Sequence, residues 1–463
     1  MMSNFIFAAC GFKKGNQQSK KNNQYLETLE EYTKKKNAFI ISDEVRKVGN
    51  FKGKTKDIHK KKAYRNLMMV FSILTLVLIG CLFFLPNTSM TIFANSSNTS
   101  DVGDQLRDNT NTILGSIDFG DLDSILAGLG GGFNLFGGDS FMQRVGRILS
   151  GEFSSDHPNI LGALFALFGA SILDVLPIIA LIVGIAVLSG LFQSLKLETS
   201  NDGVKNIIHF VTYAAVVVIV MVFVGGLVVS VGNALDSMKR QMDVIFPILL
   251  TLMVTIGGNA GVSVYQPAVA ILSSGVMQIF SSVVMPLFIM TLVFSVVGHL
   301  SPNTKLDKFV SFFSSSFKWI VGIVFTVFLS FLTIQGITAG VHDSISIRAT
   351  RFTISSYMPI LGGYISQGFD LVLASSILVK NAIGLAGLYL LLGVVLAPLF
   401  QIVIFSLGLK LAAAVIQPIG DDRISNFLTS ITKSFGMLAT VLVGVAFMYF
   451  VTIGLVMVTG NVL

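Results

Sequence analysis

Cysteine is close to absent: the 463-residue chain has two, Cys10 and Cys81. One lies in a basic N-terminal tail and the other in the first apolar run. They cannot face each other in one compartment, so neither a disulfide framework nor a thiolate metal site is available. Charge is also scarce. Asp, Glu, Lys and Arg make up 12% of the chain, against roughly 25% in soluble domains. The five histidines, at 59, 157, 209, 299 and 342, stand far apart. His-Glu-x-x-His, Gly-x-Ser-x-Gly and a Gly-Lys-Ser/Thr phosphate loop are all missing. His342 and Asp343 are adjacent, and adjacent residues do not face each other on a helix. An intramembrane enzyme is left without a constellation, and no metal or cofactor is expected. Without an ATP-binding motif, any energised transport must draw on a partner or an ion gradient.

Apolar residues are plentiful, at 53% of the chain. Runs such as Ile207–Gly232 and Leu438–Val458 hold no charged residue. They match the roughly 20 residues needed to cross a bilayer's hydrocarbon core. A soluble enzyme is excluded. So is a nucleic-acid-binding domain, because the body lacks the basic face it needs. The reading is an all-α, polytopic membrane bundle of about seven to nine transmembrane or re-entrant helices, some broken by proline.

The formal net charge of +7 divides unevenly. Residues 1–66 carry 16 Lys+Arg against 6 Asp+Glu, and the remainder carries 16 against 19. The tail reads as a largely disordered cytosolic segment, with electrostatic attraction to anionic membrane lipid as the sharper alternative. Residues 67–85 follow a basic flank and stop at Pro86. They read as a signal-anchor or a signal peptide. The anchor is favoured, because cleavage after Ala94 would put Ile92 where a small residue is preferred. Residues 86–158 form an extracytosolic acidic and Gly-rich segment, expected to hold a small helix or two on flexible linkers. Asp118, Asp121 and Asp123 read there as a solvated face, because the ordered ligand spacing of a calcium loop is missing.

Residues 159–463 form the membrane domain. The candidate spans lie near 175–192, 207–232, 244–258, 267–298, 317–340, 360–379, 382–408 and 434–459. The run 160–173 is short enough for an interfacial or re-entrant helix, and Pro286 can break the long segment 267–298. Lys196 and Lys205 mark one cytosolic loop, and Lys305, Lys308 and Lys318 another. Both can share a side only if an even number of crossings separates them. That makes 244–258 a re-entrant element and leaves Lys239 and Arg240 outside, against the positive-inside rule.

Ionisable groups at membrane depth suggest function by default. Asp174, Lys380 and Lys410 fit edge residues that snorkel to water. Asp370, ten residues before Lys380, reads as a possible partner for it across helices. Ser344, Arg348, Arg351 and Ser355 step by four, three and four, as on one helical face, yet Ser344-Ile345-Ser346-Ile347 alternates like a strand. The arginines belong either on an interfacial helix facing phosphates or along a passage for anionic solutes. Gly336 and Gly340 form a GxxxG pair that permits close helix approach. The candidates for structural or passage-lining roles are Pro286, Gln335, Gly336, Gly340, Arg348 and Arg351. Asp370, Lys380, Asn381, Gln417 and Pro418 complete the set.

Several stretches carry a family resemblance. They are Phe246-Pro247-Ile248-Leu249-Leu250, Ser281-Ser282-Val283-Val284-Met285-Pro286-Leu287 and Ser301-Pro302-Asn303-Thr304-Lys305-Leu306. Gln335-Gly336-Ile337-Thr338-Ala339, Arg348-Ala349-Thr350-Arg351-Phe352 and Lys380-Asn381-Ala382-Ile383-Gly384 follow in order, then Ala412 through Arg423 with Gln417-Pro418-Ile419-Gly420 inside it. Upstream, Ile148-Leu149-Ser150-Gly151-Glu152 matches a pre-membrane segment. Over about residues 145–463 the chain resembles the stage III sporulation protein AE family. The resemblance implies a non-enzymatic component of the channel complex that joins mother cell and forespore, placed in the mother-cell membrane around the forespore. It implies a need for forespore gene expression after engulfment. The partners it implies are the other membrane and ring-forming proteins of the same operon, including a secretion-type ATPase, with no nucleic acid. It supplies no catalytic residues to carry over. Residues 1–66 depart from the family's pattern, which opens directly on a signal-like segment. This extension is expected to be lineage-specific or a misassigned start. The rival reading is an autonomous permease for small solutes built on the 335–382 region. A homo-oligomer is compatible with either.

Overall fold

The computed structural model describes residues 100–128, 140–150, 160–194, 202–300, 306–357, 362–419 and 422–459. The chain divides into two compact units, Met1–Ser72 and Ile73–Leu463. The first unit and the anchor candidate 67–85 lie outside the described residues.

Every element among the described residues is helical. Three short helices come first: α1 (Ser100–Gly115), α2 (Gly120–Gly128) and α3 (Phe141–Ser150). Then follow α4 (Ile160–Ser194), α5 (Asp202–Thr255), α6 (Asn259–Ala270) and α7 (Met285–Leu300). The last three are α8 (Asp307–Tyr357), α9 (Gly362–Ile416) and α10 (Asp422–Val458). Among the described residues, six helical stretches are long and apolar enough to cross a membrane.

Several expected boundaries vanish. The run 160–173 is not a separate interfacial helix but the start of α4, whose apolar stretch is Phe165–Leu188. The segment 244–258 does not re-enter on its own, because its residues through Thr255 are the closing turns of the 54-residue α5. The spans 360–379 and 382–408 fuse in the 55-residue α9, and 317–340 runs on through the polar stretch 341–357 in the 51-residue α8. The reason is local. The polar stretches that separate the apolar runs, 233–246 and 341–357, contain neither Gly nor Pro. Polarity without a breaker changes what surrounds a helix and does not end it. Pro247 lies inside α5 on an exposed face, where the carbonyl that loses its donor can turn to water.

The chain from 259 to 300 is helical throughout but irregular. Between α6 and α7 it passes through two π-helical stretches, Ile271–Val276 and Phe280–Val284. The second ends just before Pro286, which is exposed in the first turn of α7. A proline cannot donate to the carbonyl four residues back, and a π register absorbs that defect without reversing the chain. The true reversal is at Gly257, with φ of 88°. Gly258 N–H bonds the Met253 carbonyl and Gly257 N–H bonds the Val254 carbonyl, each at 2.9 Å. This is a Schellman closure of α5, and the left-handed position favours glycine.

Cross-helix contacts place three linking segments at one end. Tyr213 near the start of α5 and His299 at the end of α7 both pack on Phe427 of α10. Ser425 donates to the Ala413 carbonyl of α9 at 3.0 Å, and Phe294 stacks on Phe309 and Phe313 of α8. The starts of α5, α8 and α10 and the ends of α7 and α9 therefore share one end. By the positive-inside rule the lysines at 196, 205, 305, 308 and 318 are expected to make that end cytosolic. The even crossing count holds, and it comes from α5 going out and the α6–α7 run returning.

The long helices overrun the bilayer. At 1.5 Å per residue α5 extends about 81 Å, whereas the hydrocarbon core is about 30 Å thick. Near the cytosolic end the outward faces are apolar: Leu176, Leu181, Val218, Val222, Val293 and Trp319 are all exposed. Further along α5 the exposed face turns polar, with Asn233, Asp236, Lys239, Arg240 and Asp243. Lys239 and Arg240 are thus exposed on α5 at the end away from the links, where they still run against the positive-inside rule if the links are cytosolic.

One core runs through the whole bundle. The buried share of the best apolar window rises from 22% on α4 to 61% on α9 and 67% on α10. Helix α9 packs against α10, α5, α4, α1 and α3. The acidic segment before the membrane domain is therefore not a loose appendage: Leu114, Phe119, Leu122, Phe141 and Val145 are buried in the same core. Its polar residues also have local roles. Asp118 accepts from Gly120 N–H at 2.9 Å, and Asp123 accepts from Phe141 N–H at 2.6 Å. Ser140 and Gln143 form a reciprocal capping box at the start of α3.

Candidate functional site

Buried polar contacts cluster where α9 meets α5, α6 and α10. Lys380 is fully buried on α9 and donates from Nζ to the Thr459 carbonyl at 2.5 Å. That carbonyl lies just past the end of α10, where the last C=O groups have no partner within the helix. A cation there also meets the negative end of the helix dipole. The Thr459 hydroxyl bonds the Tyr265 hydroxyl of α6 at 3.0 Å and the Leu455 carbonyl at 2.8 Å. One residue thus joins three helices, and Tyr265 is fully buried with it.

Small residues on α9 let its neighbours approach. Gly384 lies against Met457, and Gly387 against Ile245 and Ile453. The Gly387 carbonyl accepts from Gln241 Nε2 at 2.7 Å, and Gln241 is fully buried on α5. Gln241 Oε1, Ser376 Oγ and Asn381 Oδ1 are buried acceptors without a hydrogen bond among the described residues. Closer to the membrane, Ser230 pairs with Gln401 at 3.4 Å and Ser295 with Ser430 at 2.9 Å.

The candidates named from sequence do not converge on one site. Lys380 is buried and bonded, so it does not snorkel, whereas Asp174 and Lys410 are exposed but lie inside the apolar stretches Phe165–Leu188 and Gly368–Ile416 rather than at span edges. Asp370 and Lys380 do not pair across helices. Both belong to α9, where ten residues put them about 15 Å apart along the axis. Asn381 is half-buried beside Lys380. Gln335, Gly336, Gly340, Arg348 and Arg351 all fall within α8, which resolves the helix-or-strand ambiguity of 341–357. Their side chains lie outside the described residues. Gln417 and Pro418 are exposed in the turn Gln417–Ile419 at the cytosolic end, far from Lys380. Gln241, Tyr265 and Thr459 were not apparent as site residues. No motif marks them, and the one available signal was Gly384 and Gly387 in an otherwise bulky run. Among the described residues no group of three or more His, Cys, Asp or Glu could hold a metal ion.

The family model described as stage III sporulation protein AE matches residues 140–460. The chain belongs to that family. A relative, "Stage III sporulation protein AE" of Bacillus subtilis (strain 168), is 22% identical over 313 residues, covering 68% of this chain and 78% of that protein. No solved structure matches the chain. The matched range opens at the capping box of α3 and closes one residue past Thr459. It therefore takes in α3 through α10, both sides of the Lys380–Thr459 contact included. Membership implies a sporulation role, and the six apolar helices make the chain a multi-pass membrane protein.

Proposed function

We propose that this chain is a non-enzymatic, multi-span component of a sporulation channel or secretion complex that joins mother cell and forespore. Its place is the mother-cell membrane around the forespore. The observation that carries the reading is the family match together with helices longer than a bilayer crossing needs, packed around one continuous core. In that membrane the overrunning ends would stand in the space between the two cells' membranes, where a bridging complex has to be assembled. The buried contacts at Lys380, Thr459 and Gln241 are then structural: they hold α5, α6, α9 and α10 in register as a support. The partners are proposed to be the other membrane and ring-forming proteins of the same operon and its secretion-type ATPase. The permease reading loses support because Lys380 is taken up in a buried contact with the Thr459 carbonyl.

Deleting the gene in its own spore-former should stop sporulation after engulfment and leave vegetative growth unchanged. A normal spore yield would overturn the proposal.

A further inference from the structure

Three lysines stand exposed within the apolar stretches of the last three helices. Lys318 belongs to Asp307–Ile334 of α8, Lys410 to Gly368–Ile416 of α9 and Lys433 to Ile424–Val458 of α10. Among the described residues none of the three makes an ion pair or a hydrogen bond. A charge at membrane depth is costly and by default marks a site.

Contacts between the helices bring the three lysines to one place. Phe325 of α8 lies against Gly444 of α10. Lys318 comes about two turns before Phe325, and Lys433 about three turns before Gly444, each on the face of its contact residue. The two helices run in the same sense, so these lysines face each other about one turn apart in height. Helix α9 runs in the opposite sense beside α10, where Ala413 accepts from Ser425 and Phe405 packs on Phe435. Lys410 falls between those two contacts, within about a turn of Lys433 in height. It points away from α4 and Asp174, because Gly408, two residues before it, is the position that meets Ile179 of α4. Each Cα–Cβ bond leans toward the start of its helix. Lys318 and Lys433 therefore lean toward the shared end, and Lys410 leans away from it, which draws the three ammonium groups to a similar depth. For Lys410 that is the reverse of what snorkelling to the nearer water requires.

The surface around them is a polar furrow. Between Ile424 and Leu438, α10 is exposed only at Asn426, Thr429, Lys433 and Gly436, which step by three, four and three. Opposite them on α8, Ser311, Ser315, Lys318 and Gly322 are exposed and step by four, three and four, on the side of Phe325. Neither stripe has an apolar side chain beyond a glycine, so hydroxyls and ammonium groups line the furrow. Its rims are apolar and exposed, with Phe312 and Trp319 on α8 and Leu407 and Leu411 on α9. The nearest acidic residues on these helices, Asp307 and Asp422, stand about 16 Å along the axis from Lys318 and Lys433. Each has a basic neighbour in sequence, Lys308 and Arg423.

We propose that the furrow between α8 and α10, flanked by Lys410 of α9, binds the phosphate headgroup of an anionic phospholipid from the leaflet at that end. The three lysines supply the attraction, the small residues leave room for the headgroup, and the apolar rims carry the acyl chains. Basic recesses between transmembrane helices recognise anionic headgroups in this way. The site is independent of the channel reading and of which side of the membrane that end faces.

Trp319 is the chain's single tryptophan and lies 70% exposed beside Lys318, so it reports on the furrow directly. The full chain is reconstituted in phosphatidylcholine bilayers containing a minor fraction of brominated phosphatidylglycerol or of brominated phosphatidylcholine. At equal fraction the anionic lipid should quench Trp319 more, with a relative binding constant roughly tenfold or more above that of the neutral lipid. Lys318→Gln, Lys410→Gln and Lys433→Gln together should remove the preference, and Lys318→Arg, Lys410→Arg and Lys433→Arg together should keep it. A second reporter, Leu181→Trp on the exposed face of α4 in a Trp319→Phe chain, should show little preference. That comparison leaves the lysines in place, so it stands even if the glutamine variant fails to insert. Equal quenching of Trp319 by the two lipids, an equal preference at Leu181→Trp, or a preference unmoved in an inserted glutamine variant would overturn the proposal. Loss of the preference in excess inorganic phosphate would assign the furrow to a soluble anion, and no quenching by either lipid would show it covered by another protein chain; both outcomes also overturn it.

Discussion

Replacing Lys380 tests the extracytosolic core at its most distinctive contact. The side chain is fully buried and its Nζ donates to the Thr459 carbonyl. A hydrogen bond from a charged group contributes about 1.5–3 kcal/mol, and truncating a long buried side chain to alanine costs about 2–5 kcal/mol. Not all of the first term survives, because Lys380→Ala also removes the cost of holding an ammonium away from water. The expected loss is about 3–5 kcal/mol, dominated by the cavity. Lys380→Met keeps the apolar stem and discards the charge, and it should stay within about 1.5 kcal/mol of the parent. Lys410→Ala, at an exposed position, should change stability by no more than about 0.5 kcal/mol. Reversible denaturant titration of the purified chain in detergent micelles measures all three. If Lys380→Ala is as mild as Lys410→Ala, the residue is not buried and the register of α9 against α10 is wrong.

Thr459→Val removes the hydroxyl partner of Tyr265 but keeps the carbonyl bonded by Lys380. The same titration should show a loss of about 1–2 kcal/mol, and Tyr265→Phe in that background should cost little more. A Cβ at Gly384 would sit 2.5 Å from Met457 Sδ. Gly384→Ala should therefore destabilise by about 1–3 kcal/mol, and a smaller residue at 457 should relieve part of the loss. Gly257 holds φ at 88°. Gly257→Ala should cost about 1 kcal/mol or more, and thermal unfolding should show it without any change in helix content by circular dichroism.

What the sequence made legible follows from what hydropathy and charge report. Charge-free runs revealed the crossing helices, because lipid forces the backbone to bond internally. Lysines gave a common end for two loops, around 196–205 and 305–318. Length was misjudged where a polar stretch separated two apolar ones. Lys239, Arg240 and Asp243 mark a change of surroundings from lipid to water while α5 continues. Lys380 looked like an edge residue because a lone lysine between apolar runs usually is one. Its burial depends on the Thr459 carbonyl, 79 residues away, which no local pattern encodes. Gln241 is concealed in the same way: its partner is a backbone carbonyl on another helix, so neither residue type nor spacing announces it. The arginine stripe was correctly spaced for a helix, but its height above the membrane depended on knowing that α8 does not stop at Gly340.

The central claim is that α5 leaves the bilayer as an unbroken helix into an extracytosolic core. It can be tested with single cysteines at Asp236 and Asp243, in a chain carrying Cys10→Ser and Cys81→Ser, using a membrane-impermeant maleimide on intact cells. Both positions are exposed on α5 and should label from outside, whereas a cysteine at Lys308 should label only after permeabilisation. Labelling of Asp236→Cys and Asp243→Cys only from the cytosol, or protection of both from either side, would contradict the account.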